Sequence, residues 1–145
     1  MRKFLLLMFC LGLVGCATTP LEPIAKPVVK PIPTQEELAK MDYGKPISID
    51  YQTIIKDYFS KNLKDPFTAH YQFAEPQPYW YRDSQMMGGK EYVGYAVIVL
   101  VNAKNGFGGY VGDKQYAFIF RDDLIIKVVD PVEFEIMGYA NSFKK

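Results

Sequence analysis

The chain has 145 residues, 17 Lys and Arg against 16 Asp and Glu, and a formal charge of +1, with 49% hydrophobic and 15% aromatic residues. That length allows one core of ordinary size, and the near-neutral balance leaves no electrostatic footprint for nucleic acid or a charged membrane surface. Two cysteines and one histidine are too few for a disulfide framework or an ordinary metal site.

Residues 1–15 have the charged, apolar and small-residue order of a secretory signal: Arg2 and Lys3, an apolar run over 4–14, then Gly15. The run is shorter than the roughly 20 residues a membrane-spanning helix needs. Leu13-Val14-Gly15-Cys16 resembles the lipobox of bacterial lipoproteins. The resemblance implies a diacylglyceryl group on the Cys16 sulfur, cleavage between Gly15 and Cys16, and acylation of the new amino terminus, palmitate included. Each buried methylene contributes about 0.8 kcal/mol, so two or more chains make the anchor stable. Ala17, standing where an Asp would retain a Gram-negative lipoprotein at the inner membrane, implies the outer membrane, facing the periplasm. Loss of Arg2 and Lys3 with the signal keeps the mature chain near neutral, and with Cys10 removed and Cys16 lipidated no thiol remains for a disulfide.

Residues 16–33 carry the lipidated cysteine and a tether in which Pro20, Pro23, Pro27, Pro31 and Pro33 exclude helix and central strand. An extended polyproline segment at about 3.1 Å per residue holds the rest of the chain off the bilayer. Residues 34–145 are expected to form a single small α+β domain, one main amphipathic helix packed on an antiparallel sheet of three to five strands.

Thr34 followed by Glu37 has the form of a capping box and predicts a short helix to about Met41. A longer helix is predicted from Asp50 to about Lys64, because Tyr51, Ile54, Ile55, Tyr58, Phe59 and Leu63 recur at three- and four-residue steps. Asp65-Pro66 stops it. Strands are predicted at 69–74, at 79–81 as an edge after the Pro-rich turn 75–78, and at 92–101, which is apolar on both alternating sets. Residues 115–120 and 124–129 alternate and read as a hairpin turning at Asp122-Asp123.

Between the third strand and that hairpin runs Asn102-Ala-Lys-Asn-Gly-Phe-Gly-Gly-Tyr-Val-Gly112. With the upstream Leu-Lys-Asp-Pro at 63–66, it resembles a family of small bacterial envelope and mobile-element proteins that carry an NAKNxFGGYxG motif. The likeness covers roughly 63–120 and implies a shared fold without an assigned activity. Where the family pattern has Cys-Gly in the central strand, this chain has Val93-Gly94.

The glycines at 106, 108, 109 and 112 permit positive φ and close backbone approach. They do not lead into a helix, so neither a P-loop nor a dinucleotide fingerprint fits. If the loop recognises a partner, Lys104, Asn105, Phe107 and Tyr110 form its surface. Tyr79, Trp80 and Tyr81 offer either core packing, the favoured role, or an aromatic platform for a sugar or a protein.

His70 has no Cys or carboxylate spaced to complete a metal site, and Ser60, Ser84 and Ser142 lack a nucleophile elbow. Asp122 with Asp123, and Glu133 with Glu135, read as solvated acids before they read as a glycosidase pair. No cofactor is expected. The sequence favours a non-enzymatic lipoprotein whose domain binds an envelope protein. A cell-wall glycan-binding module stands second and a periplasmic hydrolase third.

Overall fold

The computed structural model describes residues 30–133. Gly15, Cys16 and most of the expected tether lie outside the described residues, as do Glu135 and Ser142. The chain divides into two units, Met1–Lys30 and Pro31–Lys145, and the helices and sheet among the described residues belong to the second.

Two helices precede the sheet. α1 (Gln35–Ala39) starts with the complete capping box: the Thr34 Oγ1 accepts from Glu37 N, and the Glu37 carboxylate accepts from Thr34 N at 2.7 Å. α2 (Tyr51–Asn62) is the one helix longer than seven residues among the described residues. Asp50 caps it, its carboxylate accepting from Thr53 N at 3.2 Å and from Thr53 Oγ1 at 2.7 Å. The Leu63 amide donates to the Phe59 carbonyl at the other end, and Pro66 then opens a 3-10 turn, Pro66–Thr68. No helix among the described residues is long and apolar enough to cross a membrane.

Five antiparallel strands form one sheet: β1 (His70–Phe73), β2 (Gln77–Arg82), β3 (Glu91–Asn102), β4 (Lys114–Arg121) and β5 (Leu124–Val129). β3 is its axis. β4 lies along one edge of β3, while the other edge is shared, β2 pairing with the first half of β3 and β1 with its last residues. The predicted turn at 75–78 is therefore shorter than expected, since β2 already includes Gln77 and Pro78. Pro78 is tolerated because β2 is an outer strand and the missing donor faces away from β3.

The apolar character of both alternating sets of β3 is explained by two packed layers. Val97, Val99 and Val101 join Phe118, Phe120, Ile55 and Phe59 on the face that α2 covers. There the rings of Tyr58 and Phe59 meet Phe118 edge-on at 5.1 and 5.5 Å. Tyr79, Tyr81, Ala96, Ala117, Ile119 and Val129 form a second buried cluster on the opposite face.

The β4–β5 hairpin turns at Asp122 and Asp123, with φ of 51° and 65°. Two successive left-handed residues match the turn geometry that suits twisted strands, and Asp is among the few side chains that tolerate it. The two acids also fasten the segment before α2. Asp123 accepts from Ser48 N and Oγ at 2.9 and 2.6 Å, and Asp122 accepts from Lys45 N at 3.3 Å. Arg121 pairs with Asp42 at 2.7 Å.

These bonds hold the carboxyls of Asp42, Asp50 and Asp123 below their ordinary value of 3.8, through Gly44 N and Arg121, through Thr53, and through Ser48 respectively. A lowered folded value means that the stabilisation is present above 3.8 and is lost as pH falls through the folded values. The melting temperature should therefore hold steady above about pH 4 and drop below it. Asp123→Asn should flatten that acid limb in a pH series of melting curves, and an unchanged limb would mean that the Ser48 contacts contribute nothing.

Candidate functional site

The loop after β3 is a small hairpin in its own right. Lys104 and Tyr110 form an isolated antiparallel bridge, Asn105 N donates to Gly109 O at 2.8 Å, and Gly108 N donates to Asn105 O at 3.0 Å. Gly108 has φ of 82°, as the left-handed residue that closes a three-residue hairpin loop must. Gly112 is the loop's other left-handed residue, at 85°. Gly106 and Gly109 do not have positive φ, so only two of the four glycines use the freedom that all four permit. A side chain at 109 would meet only Asn105, at 3.9 Å.

Asn105 is the loop's internal brace. Its Oδ1 accepts from Phe107 N at 2.9 Å and from Gly109 N at 3.1 Å. This rigid turn leaves Phe107 fully exposed at its tip. Tyr110 is half-exposed, and its hydroxyl lies 3.1 Å from His70 Nε2 on β1, with the Lys104 ammonium 5.4 Å from the ring centroid. The single histidine thus positions an aromatic side chain of the loop. Among the described residues no three of His, Cys, Asp and Glu converge as a metal ion would require.

The two motif segments meet at this end of the sheet. Lys104 N donates to Thr68 Oγ1 at 3.2 Å, and a Cβ on Gly106 would lie 3.9 Å from Lys64 Cδ. Phe67, between Pro66 and Thr68, is 99% exposed, so a second bare phenylalanine accompanies Phe107. Sequence reasoning missed Phe67, although an apolar residue just past a helix stop, beside a motif, was a usable signal. Between the segments lies a groove of about 220 Å³ whose lining includes Leu63, Lys64, Val101, Lys104, Val111 and Lys114.

No family model, curated protein or solved structure matches the chain. Function must be read from the site.

The aromatic run at 79–81 is placed differently. Tyr79, Trp80 and Tyr81 are 5%, 6% and 2% exposed, so they present no stacking face to a sugar. Their surroundings explain part of this: Tyr79 and Tyr81 belong to the second buried cluster with residues of β3, β4 and β5, and the Arg82 guanidinium lies 4.9 Å from the Trp80 ring. Tyr79, Trp80 and Tyr81 are core residues here, and the platform role is withdrawn.

A buried charge cluster adjoins them that the sequence did not reveal. Lys127 Nζ lies 3.0 Å from Asp83 Oδ1, as an ion pair rather than an aligned hydrogen bond, and 2.8 Å from Glu133 Oε1. Tyr92 donates its hydroxyl to Asp83 Oδ2 at 3.1 Å, and the rings of Tyr81 and Tyr92 flank the ammonium at 5.4 and 5.7 Å. Burial acts to lower the Lys127 pKa, but the hydrogen bond to Glu133 and the charges of Glu133 and Asp83 outweigh it and raise it above 10.5. Burial, with the Glu133 charge, pushes the Tyr81 phenol up to about 12. Both groups keep their protons at neutral pH, whereas a general base is poised near it. The cluster ties β5 to the segment after β2.

Proposed function

We propose that this chain is an envelope lipoprotein, anchored through acylated Cys16 to the periplasmic leaflet of the outer membrane, whose non-catalytic domain binds a protein partner through the 102–112 loop. α2 acts in this reading as the main amphipathic helix that stiffens the sheet behind the loop. The observation that carries the reading is the pair of bare phenylalanines, Phe67 and Phe107, beside half-exposed Tyr110 and Val111. Large exposed apolar groups held on a rigid turn lose little entropy on binding, and aromatic anchors dominate protein interfaces.

Within the domain, Arg82 donates to the Pro31 carbonyl at 2.9 Å and pairs with Glu91 at the first residue of β3, while the loop leaves from Asn102 at the other end of that strand, about 35 to 40 Å away at a strand's rise per residue.

Two experiments test the two halves. Cys16→Ala should abolish lipid labelling and leave the signal uncleaved; a mutant that matures to the same size and stays with the membrane would remove the anchor. A photoreactive phenylalanine at position 107 in intact envelopes should yield adducts with protein, whereas the same group at the exposed Leu124 of β5 should yield few. Adducts confined to lipid or cell-wall glycan would overturn the partner reading.

A further inference from the structure

The groove beside the loop is built for a narrower class of ligand than its exposed rim alone suggests. Its apolar lining is made by Leu63 after α2, Val101 near the end of β3, Ala103 just past it, half-exposed Val111, and Tyr116 on β4, with Asn62 and Asn105 beside them. Three cations line the same space: Lys64, Lys104 and Lys114. Among the described residues no carboxylate lies within ion-pair distance of any of the three, whereas Lys40, Lys61 and Lys127 all have acidic partners. The neighbouring acids Asp65 and Asp113 form no ion pair with them either.

Size decides what such a site can hold. At about 220 Å³ the groove is smaller than the roughly 300 to 1,000 Å³ of small-molecule and cofactor pockets. It suits one or two side chains. An apolar floor rewards a buried aliphatic or aromatic group, and uncompensated ammonium groups around it reward carboxylates on either side of that group. A lipid bilayer would engage the projecting phenylalanines and the lysines while leaving a concave floor unfilled.

We propose that the groove docks an extended acidic segment of the partner protein, seating one apolar side chain on the floor while flanking Asp or Glu residues meet Lys64, Lys104 and Lys114. Phe67 and Phe107 would then close over the segment from outside. This rests on the protein-partner reading and specifies the chemistry of the partner.

The test uses the acylated full-length chain in detergent and a fluorescent peptide in which leucines alternate with glutamates, read by anisotropy. We expect saturable binding that weakens at least about tenfold when the leucines are replaced by serine, and by a similar factor for the single variant Lys114→Glu. The triple variant Lys64→Glu, Lys104→Glu, Lys114→Glu should abolish it, with the melting temperature confirming that each variant is folded. Equal binding of the serine peptide, binding unaffected by charge reversal, or no binding of the leucine peptide would overturn the proposal, as would capture of phosphatidylglycerol vesicles in place of the peptide. Should the peptide fail while position 107 still cross-links to protein in envelopes, the groove assignment falls and the partner reading stands. Should the cross-links also be absent, both fall.

Discussion

Gly94→Ala is expected to destabilise the domain by about 3 kcal/mol or more, beyond the usual cost of one added methyl group in a packed interior. A Cβ at this position would lie 2.1 Å from the Phe120 carbonyl oxygen and 3.3 Å from Ile119 Cγ2. The obstruction is backbone, so no rotamer change relieves it. On the far side the same backbone pairs with β5, Ile119 opposite Lys127 and Phe120 opposite Ile125. β3 and β4 would have to separate where Tyr95 pairs with Phe120, loosening the sheet's axis. Gly94 has no positive φ, so the effect comes from space alone and should worsen with side-chain size, Gly94→Val exceeding Gly94→Ala. Urea unfolding of the three proteins measures this. A loss below about 1 kcal/mol for Gly94→Ala would mean that the strands part without cost.

Lys127→Met should cost about 3 kcal/mol at neutral pH, because it keeps the aliphatic stem and removes the cation between two acids. Asp83 and Glu133 have side chains only 7% and 16% exposed, so their charges would be left facing each other without compensation. Urea unfolding of the variant and the wild type at neutral pH measures this, and a loss below about 1 kcal/mol would mean that the two acids do not depend on the lysine.

Helices and turns were legible in the sequence because their signals are local. Thr34 with Glu37, Asp50 before the periodic run, and Asp65-Pro66 after it act within a few residues of where they stand. The two apolar sets of β3 and the Asp122-Asp123 turn are likewise written in neighbouring positions, and an α+β arrangement emerges from them. The motif at 102–112 could be recognised as a tight turn for the same reason, though not which of its glycines take the left-handed conformation; at Gly108 that follows from the bond of its amide to the Asn105 carbonyl.

What only the tertiary structure decided depends on residues far apart in the chain. Three consecutive aromatics at 79–81 look the same whether exposed or buried, and the faces of β2 were assigned only by its pairing with β3. Asp83, Lys127 and Glu133 carry no signal of one another until the fold brings the Lys127 ammonium within 3.0 Å of both acids. The cationic groove is of the same kind. Lys64 follows a helix, Lys104 sits in a loop and Lys114 opens a strand, and they become one site because Thr68 holds the loop's base against the turn after α2.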